Sequence, residues 1–207
     1  MDNFNFYNPT EIIFGNGRVS EVGKKVSEYG NNILLTYGGG SIKRFGLYDQ
    51  VISILEDENL NIVELSGIQS NPRLSSVKKG VELCKKNNID FILAVGGGSV
   101  IDASKAISVG YYYNGNLWDM IKEDGTFSEA IPLGTILTLA ATGSEMNANA
   151  VITNWKTKEK KAIHGSNYPC FSILDPENTF TVPYKHTVFG IVDIAAHVFE
   201  QYFSYTE

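Results

Sequence analysis

Hydrophobic and polar residues alternate along most of the chain with two different periods. Short apolar runs such as FILAV, just before a cluster of glycines, are typical of buried strands. The segments between them place apolar residues three or four positions apart, which predicts amphipathic helices. Right-handed crossovers would bring the carboxyl ends of the strands to one edge of a parallel sheet. The pattern therefore predicts an α/β fold: a Rossmann-like parallel sheet with helices on both faces.

The remaining elements follow in order. VITNWKTKEKKAIHG predicts an exposed hairpin, in which Lys160 and Lys161 are typical of solvated tip charges, and FSILDPENTFTVP predicts a strand that leaves the sheet. From about Pro183 the spacing is helical. We therefore expect an α/β domain over residues 1–182 and the first helix of an all-helical domain over residues 183–207. The predicted elements of the first domain are TEIIFG, NNILLTY, NIVELSGI, FILAV and IPLGTILTL as strands, and GRVSEVGKKVSEYG, LYDQVISILEDENL, SSVKKGVELCKKNNID and VIDASKAISVGYYYNG as helices.

The composition is that of a globular protein. Hydrophobic residues make up 43% and charged residues 19% of the 207 residues, enough to bury a substantial core. The net charge of -6 argues against binding to nucleic acid or to an anionic membrane, which requires clustered Lys and Arg. No apolar run reaches the ~18 residues of a membrane helix, and no targeting segment is evident. Because Cys84 and Cys170 form no CxxC pair, we expect reduced, structural thiols in a cytoplasmic protein.

Two glycine turns, YGGGS at residues 37–41 and VGGGS at residues 95–99, each follow an apolar run. Glycine lacks a Cβ, so a phosphate can approach the backbone N–H groups, and a helix that starts next adds its dipole. The second turn fits best, because VIDASKAI begins a helix at once. Either copy alone is equally consistent with a plain tight turn. Two copies at the carboxyl ends of strands in one sheet favour a nucleotide site, although neither matches GxGxxG or GxxxxGK[ST].

Hydroxyl and acidic side chains accompany these turns. Ser99 is predicted to be the N-cap of the helix after the second turn, with Asp102 closing a capping-box-like arrangement. Near a third loop, ATGSE, the hydroxyls of Thr138, Thr142 and Ser144 are possible donors to a ribose or phosphate. An N-cap role for Ser144 is the alternative, and the two roles are compatible.

A second group of candidate ligands lies in GIVDIAAHVFE. Asp193 and His197 are four residues apart on a predicted helix, so both side chains point to the same side and can share a divalent cation. A carboxylate among apolar neighbours is costly unless a positive group meets it. A direct Asp–His hydrogen bond, or an acid near a helix start, is the alternative. His164 at the hairpin base and His186, two turns earlier on the same helix, are weaker candidates for further ligands.

Together the motifs resemble those of the iron-containing (group III) alcohol dehydrogenase family, most closely its NADPH-dependent butanol dehydrogenases. The resemblance extends from about Phe6 onward, and the series GGGSxxDxxK, ATGSE and GxxDxxxHxxE is more specific than any one of its members. The matching stretches occur in the family's order: YGGGSIK, SNPR, AVGGGSVIDASKAI, TLAATGSEMNANAVITN, LDPENTFTVP and GIVDIAAHVFEQY.

The resemblance implies a dehydroquinate-synthase-like fold, in which a dinucleotide lies between an N-terminal α/β domain and a C-terminal helical domain. Carried over by position, Gly97, Gly98 and Ser99 would hold the pyrophosphate. Asp102 would lie nearby, and Lys160 would reach the nicotinamide ribose. The other residues implied for the cofactor line the adenosine and ribose path: Asn71, Thr138, Thr142 and Ser144.

The first glycine turn bears on the choice of cofactor. Family members that prefer NAD carry an acidic residue there, where it meets the ribose 2′-hydroxyl. The turn in this sequence, Gly38, Gly39, Gly40 and Ser41, has no acid to repel a 2′-phosphate. The resemblance therefore favours NADP(H) over NAD(H).

The resemblance also makes Asp193 and His197 the first two ligands of a divalent metal, Fe2+ or Zn2+, with no catalytic residue beyond the metal ligands. The metal would polarise the oxygen of a primary alcohol or aldehyde while hydride moves to or from the nicotinamide. The family takes two further histidines from its helical domain, of which this sequence has only the first helix. We therefore expect the N-terminal half of an enzyme that is a homodimer at full length.

Two other functions stay open. The chain by itself can be a nucleotide-binding fragment without catalytic activity, because half of the implied metal site is missing. A different chemistry on the same scaffold, as in glycerol dehydrogenase or dehydroquinate synthase relatives, is the other, although TLAATGSEMNANA and LDPENTFTVP favour the alcohol dehydrogenases. In either case we expect the helix with Asp193 to expose an apolar face.

Overall fold

The computed structural model describes residues 3–123, 127, 129–165 and 167–204. Within these residues the strands form a six-stranded sheet and a separate two-stranded hairpin. The strands are β1 (Glu11–Phe14), β2 (Asn32–Tyr37), β3 (Asn61–Leu65), β4 (Phe91–Gly96), β5 (Leu133–Leu137), β6 (Ala150–Asn154), β7 (Glu159–Ile163) and β8 (Phe171–Leu174).

Helices connect the strands of the large sheet, and short 3-10 turns lie at Arg18–Glu21, Ser144–Met146 and Pro176–Thr179. The α-helices of the described residues are α1 (Val22–Ser27), α2 (Ser41–Arg44), α3 (Leu47–Asp57), α4 (Leu74–Asn87), α5 (Gly98–Gly110), α6 (Leu117–Lys122) and α7 (Tyr184–Phe203).

The large sheet is parallel throughout, in the order β1-β8-β5-β4-β2-β3. Its inner strands are apolar on both faces because helices cover both. On β2, for example, Leu34 packs into a cluster with α4, α5 and α6, whereas Ile33 and Leu35 pack into a second cluster with α1 and α3. Each such buried side chain contributes about 1.5–3 kcal/mol to folding. The predicted Rossmann-like sheet with helices on both faces is confirmed.

The prediction that FSILDPENTFTVP leaves the sheet is wrong. Its first residues form β8, which lies inside the sheet between β1 and β5. Phe171 is fully buried there, and its ring stacks on Phe91 with the centroids 5.8 Å apart. Gly134 on β5 makes the space, since a Cβ at that position would lie 2.4 Å from Cζ of Phe171.

The predicted hairpin forms from the antiparallel strands β6 and β7, but it is not fully exposed. Ile152 and Ile163 are buried in the cluster that contains α5, so one face of the hairpin packs against the sheet's covering helices. The tip is open, with Trp155 67% exposed, and so are Lys160 and Lys161 on β7. The hairpin therefore has a fixed position next to α5.

Helix α7 begins after its N-cap Pro183, as predicted, and none of its residues is buried. Its exposed apolar side chains include Ile191, Ile194 and Phe199, which confirms the expected open face. Among the described residues, no helix combines the length and the apolar character that crossing a bilayer requires. Cys84 is buried and unpaired, and desolvation raises the pKa of its thiol to about 12, so it is a structural residue.

Candidate functional site

Three loops meet at the carboxyl edge of the parallel sheet. Strands β2, β4 and β5 carry them, and β4 lies between the other two. The third loop begins at Thr138, whose backbone N–H donates a hydrogen bond to the carbonyl of Gly96 at 3.1 Å. The two glycine turns and the segment Thr138–Ser144 are thus at the edge where open α/β sheets bind ligands.

The second glycine turn is closely packed. A Cβ at Gly96 would lie 2.6 Å from Cγ2 of Val100, and a Cβ at Gly98 would lie 2.4 Å from Oγ1 of Thr142. Two of its glycines therefore allow β4, α5 and the third loop to approach one another, whether or not a ligand is bound. The N–H groups of Gly98 and Ser99 stand at the start of α5, before the helical hydrogen bonds begin. An anion would bind at these groups.

The predicted helix caps are wrong. Gly97 rather than Ser99 is the N-cap of α5, and no side chain caps that helix. Asp102 does not turn back to its own helix start, because its Oδ1 accepts a hydrogen bond from Oγ of Ser144 at 2.7 Å. Ser144 is not an N-cap either: Gly143 takes that position with a φ of 66°. The third loop supplies partners for Asp102 that the sequence alone could not place.

Lys105, the last residue of the GGGSxxDxxK motif, was not among the predicted site residues, and it binds the same loop and the residues that follow it. It is only 2% exposed. Its Nζ donates to the backbone carbonyls of Ser144 and Asn147, each at 2.6 Å, and of Asn149 at 3.0 Å. The side-chain oxygens of Ser144 and Asn147 both lie at 3.1 Å. A lysine in the middle of VIDASKAISV, with apolar residues on both sides, was the available signal for a buried cation.

The electrostatics of this loop depend on two opposite charges on α5. Desolvation lowers the pKa of Lys105 to about 8, while the carboxylates of Asp102 and Glu145 oppose that shift. Burial raises the pKa of Asp102, and its hydrogen bonds from Ser144 and from the N–H of Val151 oppose it. At neutral pH the ammonium of Lys105 is therefore the group that offsets the carboxylate.

The first glycine turn is open where the second is packed. A Cβ at Gly39 or Gly40 would meet no atom within 4 Å. Gly40 has a φ of 108°, in the left-handed region that favours glycine, and is the N-cap of the short helix α2. Residues of the turn and of α2 line two cavities of about 280 Å³ and about 270 Å³.

The cavity of about 280 Å³ lies between the first turn, the third loop and the start of α7. Its wall combines apolar side chains with hydroxyl groups and the imidazole of His186. The amide nitrogen of Asn178, which also lines it, is buried and forms no hydrogen bond within the described residues. The lining residues closest to the predicted site are Ser41, Ile42, Phe45, Thr138 and Leu139.

The cavity of about 270 Å³ lies beside the first turn and is lined by its three glycines, Tyr37, Lys43, Ser66 and Gly67. The Nζ of Lys43 stands 4.0 Å from the ring centroid of Tyr48. Next to it, Glu64 accepts hydrogen bonds from the hydroxyls of Tyr37 and Tyr48. The cavity thus offers one cation, and the nearby carboxylate is already hydrogen bonded.

Asn71 and Lys160 are brought together from distant parts of the chain. The Nζ of Lys160 on β7 donates to Oδ1 of Asn71 at 2.8 Å. Asn71 has a φ of 55°, and the N–H of Thr153 donates to the carbonyl of Pro72 at 2.8 Å. The charge of Lys160 also lowers the pKa of Asp102 slightly against the effect of burial. Lys160 therefore lies on the hairpin strand next to the third loop rather than at the solvated tip.

The two predicted metal ligands are on α7. Asp193 and His197 are both exposed and lie one helical turn apart, with the right donor atoms for a divalent cation. Among the described residues, no group of three or more His, Cys, Asp or Glu side chains could hold a metal ion. His186 lines the cavity of about 280 Å³ instead, and neither it nor His164 belongs to a metal-binding group of three or more such side chains within the described residues. The described part of the chain therefore fits a partial metal site only.

A family model for the iron-containing alcohol dehydrogenase matches residues 9–176. The probable NADH-dependent butanol dehydrogenase 2 of Bacillus subtilis is 58% identical to the chain, over 100% of the chain and 53% of that protein. The NADPH-dependent aldehyde reductase YqhD of Escherichia coli is 40% identical, over 98% of the chain and 52% of that protein. The chain thus spans about half the length of the curated relatives that it matches.

Solved structures give the same result. The crystal structure of NADH-dependent butanol dehydrogenase A from Thermotoga maritima superposes with a TM-score of 0.91 at 46% identity. The match covers 98% of the chain and 52% of that structure. The parallel sheet and its covering helices are therefore those of the same fold, and by their names the relatives include both NADH- and NADPH-dependent enzymes.

Proposed function

Because the chain belongs to the iron-containing alcohol dehydrogenase family, we propose that it is the nucleotide-binding part of an oxidoreductase that interconverts primary alcohols and aldehydes. Hydride would move to or from a nicotinamide. The observation that carries the proposal is that the two glycine turns and the Thr138–Ser144 segment lie at one edge of the sheet. The proposal extends to a small-molecule alcohol or aldehyde as substrate, a cytoplasmic location and a homodimer of the full-length enzyme.

The pyrophosphate would bind at the second glycine turn. The N–H groups of Gly98 and Ser99 and the dipole of the 13-residue helix α5 favour an anion there. Thr142, which touches Gly98, would donate a hydrogen bond from the facing loop. The hydroxyl of Ser144 is buried and already donates to Asp102, so Ser144 would hold that loop in place. On the hairpin side, Lys160 would contact the ribose next to the nicotinamide. Its hydrogen-bond partner Asn71 would line the adenosine and ribose path.

The adenosine would occupy the cavity of about 280 Å³. Its apolar lining suits a purine ring, and Ser41 and Thr138 supply hydroxyl groups.

We propose that NADP(H) is favoured over NAD(H). The open turn Gly38, Gly39, Gly40 lines a cavity with Lys43 and Ser66, which could receive a 2′-phosphate. Glu64 is the nearest acid, but two tyrosine hydroxyls and the charge of Lys43 reduce its repulsion. The cofactor preference needs its own test, because the relatives named above include both NADH- and NADPH-dependent enzymes.

We propose further that Asp193 and His197 hold a divalent cation, Fe2+ or Zn2+, together with donors outside the described residues. When bound, such a cation would polarise the substrate oxygen. Within the described residues the two side chains supply a carboxylate and an imidazole on one exposed helix face, and no third donor. The chain itself therefore binds the nucleotide and orients part of the metal site.

That shortfall favours a second candidate function for the isolated chain: nucleotide binding without catalysis. Three or more protein ligands are usual for a catalytic metal, and the described residues group fewer. In that case dinucleotide binding would persist while alcohol and aldehyde turnover would be undetectable. Glycerol dehydrogenase or dehydroquinate synthase chemistry is less favoured, because the compared relatives are named as butanol dehydrogenases and an aldehyde reductase.

The test is a calorimetric titration of the protein with NADPH and with NADH, with metal analysis of the same sample. We expect both to bind, NADPH more tightly, and little divalent metal to be retained. Failure of both dinucleotides to bind would contradict the proposed function, and tighter NADH binding would contradict the preference alone. In the active full-length enzyme, Asp193→Ala and His197→Ala should abolish turnover while leaving NADPH affinity unchanged; unchanged rates would remove the metal assignment.

A further inference from the structure

We propose that Lys105 is a positioning residue for nucleotide binding: its buried ammonium holds the segment Ser144–Asn149 in the conformation that presents Thr142 to the cofactor. The proposal rests on the nucleotide-binding function proposed above. It goes beyond that function, because Lys105 would not touch the cofactor.

The contacts of Lys105 place the ammonium at the centre of the segment. Three backbone carbonyls, those of Ser144, Asn147 and Asn149, accept hydrogen bonds from Nζ at 2.6, 2.6 and 3.0 Å. Carbonyl dipoles that point at one another repel unless a positive group lies between them. The backbone of this segment therefore depends on the ammonium for its shape, in the way that a loop depends on a bound cation.

Asp102, one helical turn before Lys105 on α5, provides the second attachment. Its Oδ1 accepts from Oγ of Ser144 at 2.7 Å, and its Oδ2 accepts from the N–H of Val151 at 3.0 Å. The hydroxyl of Ser144 thus lies between the carboxylate and the ammonium, which is 3.1 Å away. Both charges are on one helix, so the loop is fixed relative to that helix.

The same helix carries the proposed pyrophosphate site at its start. Thr142 stands against Gly98 so closely that a Cβ there would be 2.4 Å from its Oγ1. A shift of the segment near Lys105 would therefore move Thr142 and Ser144 relative to the N–H groups of α5. Helix α5 therefore positions both sides of the proposed phosphate site. Its own backbone supplies the N–H groups, and Lys105 fixes the loop that carries Thr142.

The charge, and not only the length, of Lys105 is needed. A methionine could fill the space of the lysine stem but would remove the donor of three carbonyls, one buried and two part-buried, which is costly. The charged groups that face the ammonium are Asp102 on its own helix and Glu145 in the adjoining 3-10 turn. Its other close neighbours are the uncharged oxygens of the loop.

Lys105→Met tests the proposal, with Lys79→Met on the exposed face of α4 as the matched control. Calorimetry would give the Kd for NADPH, and thermal unfolding would report whether each variant is folded. We expect Lys105→Met to weaken NADPH binding by roughly tenfold or more, since hydrogen bonds to charged groups are worth that much, and Lys79→Met to change nothing. A folded Lys105→Met protein that binds NADPH with the parent Kd would overturn the proposal. If the parent binds neither dinucleotide, the proposed function fails instead.

The pH dependence of the parent protein gives a second measurement that needs no variant. The pKa of Lys105 is lowered to about 8 from 10.5, so the folded protein loses this proton at a lower pH than the unfolded chain. Between these values the unfolded state binds more protons, and the contribution of Lys105 to stability rises with pH. Affinity for NADPH should do the opposite and fall as the ammonium is lost. Parallel falls in stability and affinity would indicate only a structural role, and a flat affinity profile up to about pH 9.5 would overturn the proposal.

Discussion

The two glycine turns have the same GGGS sequence and follow strands of the same sheet, yet their surroundings differ. At the first glycine of each motif, a Cβ on Gly38 would lie 3.4 Å from the carbonyl oxygen of Ile68, an ordinary contact. A Cβ on Gly96 would lie 2.6 Å from Val100. The later glycines differ in the same direction: Gly39 and Gly40 face open space, and Gly98 faces Thr142.

The difference shows that one tetrapeptide serves two physical purposes. In the second turn the absence of a Cβ allows a strand, a long helix and a loop to pack together, and that packing places the N–H groups that we propose as the pyrophosphate site. In the first turn the three glycines leave one wall of the cavity of about 270 Å³ without side chains, and only Gly40 is required by its backbone angle. Substitutions at the second turn should therefore disturb packing, at Gly96 within the core and at Gly98 against Thr142, whereas those at the first turn should change cofactor choice.

The largest expected effect on stability is that of Gly96→Ala. Val100 is β-branched and buried, and its Cβ would be 3.0 Å from the new methyl group, so a rotamer change cannot relieve the clash. We expect the free energy of unfolding to fall by about 1–3 kcal/mol in a denaturant titration. Gly38→Ala is the matched control and should cost less than about 0.5 kcal/mol. Equal losses at the two positions would contradict the comparison, and adding Val100→Ala should recover part of the loss at Gly96.

A smaller effect on stability but a clear one on binding is expected for Gly98→Ala. Thr142 is exposed, so it can rotate away from the new methyl group at a cost within about 1 kcal/mol. That rotation removes its hydroxyl from the proposed pyrophosphate site, and we expect NADPH affinity to fall roughly tenfold. Thr142→Ala should have a similar Kd and should not add to the loss in the double variant. Additive losses would show that Gly98 acts on the nucleotide independently of Thr142.

The smallest effect on the fold, and the one specific to the first turn, is that of Gly39→Asp. Nothing lies within 4 Å of the new side chain, so stability should hardly change. Its carboxylate would repel a 2′-phosphate and accept from a 2′-hydroxyl, which we expect to move the ratio of NADPH to NADH affinity toward NADH by roughly three- to thirtyfold. Gly39→Asn, of the same shape without the charge, should leave the ratio near that of the parent. A shift of equal size in both variants would indicate a steric cause.

The pattern of apolar residues was enough to predict the layered fold. Continuous apolar runs such as Ile33–Leu35 are diagnostic of strands buried on both faces, and the chain order of strands and helices then gives a parallel sheet with its loops at one edge. The order of the strands within the sheet was harder to predict. Phe171–Leu174 fills the gap between β1 and β5, and that position depends on long-range fits such as Phe171 against Gly134, which no local pattern records.

The candidate ligand-facing residues could be named from the sequence and stay predictions, whereas the residues that support them could not be named. Glycines, hydroxyls and the Asp193–His197 spacing stand out in a sequence because their chemistry is local. The contacts of Lys105 and Asp102 with the third loop join residues that are far apart in sequence, so capping rules applied within α5 gave the wrong partner for Asp102. A charged residue among apolar residues of a helix, such as Lys105, indicates a buried polar contact, but the sequence does not identify its partners.

Helix α7 should open locally without unfolding of the rest of the chain. None of its 20 residues is buried, so its helical state depends chiefly on its own backbone hydrogen bonds, its intrinsic propensity and side-chain contacts along the helix. Amide protons of Tyr184–Phe203 should therefore exchange with deuterium through fraying of the helix, at rates unrelated to global unfolding. Those of β4, buried along its whole length, should exchange only when the sheet itself opens. Hydrogen exchange would thus separate the residues that carry Asp193 and His197 from the sheet that carries the glycine turns.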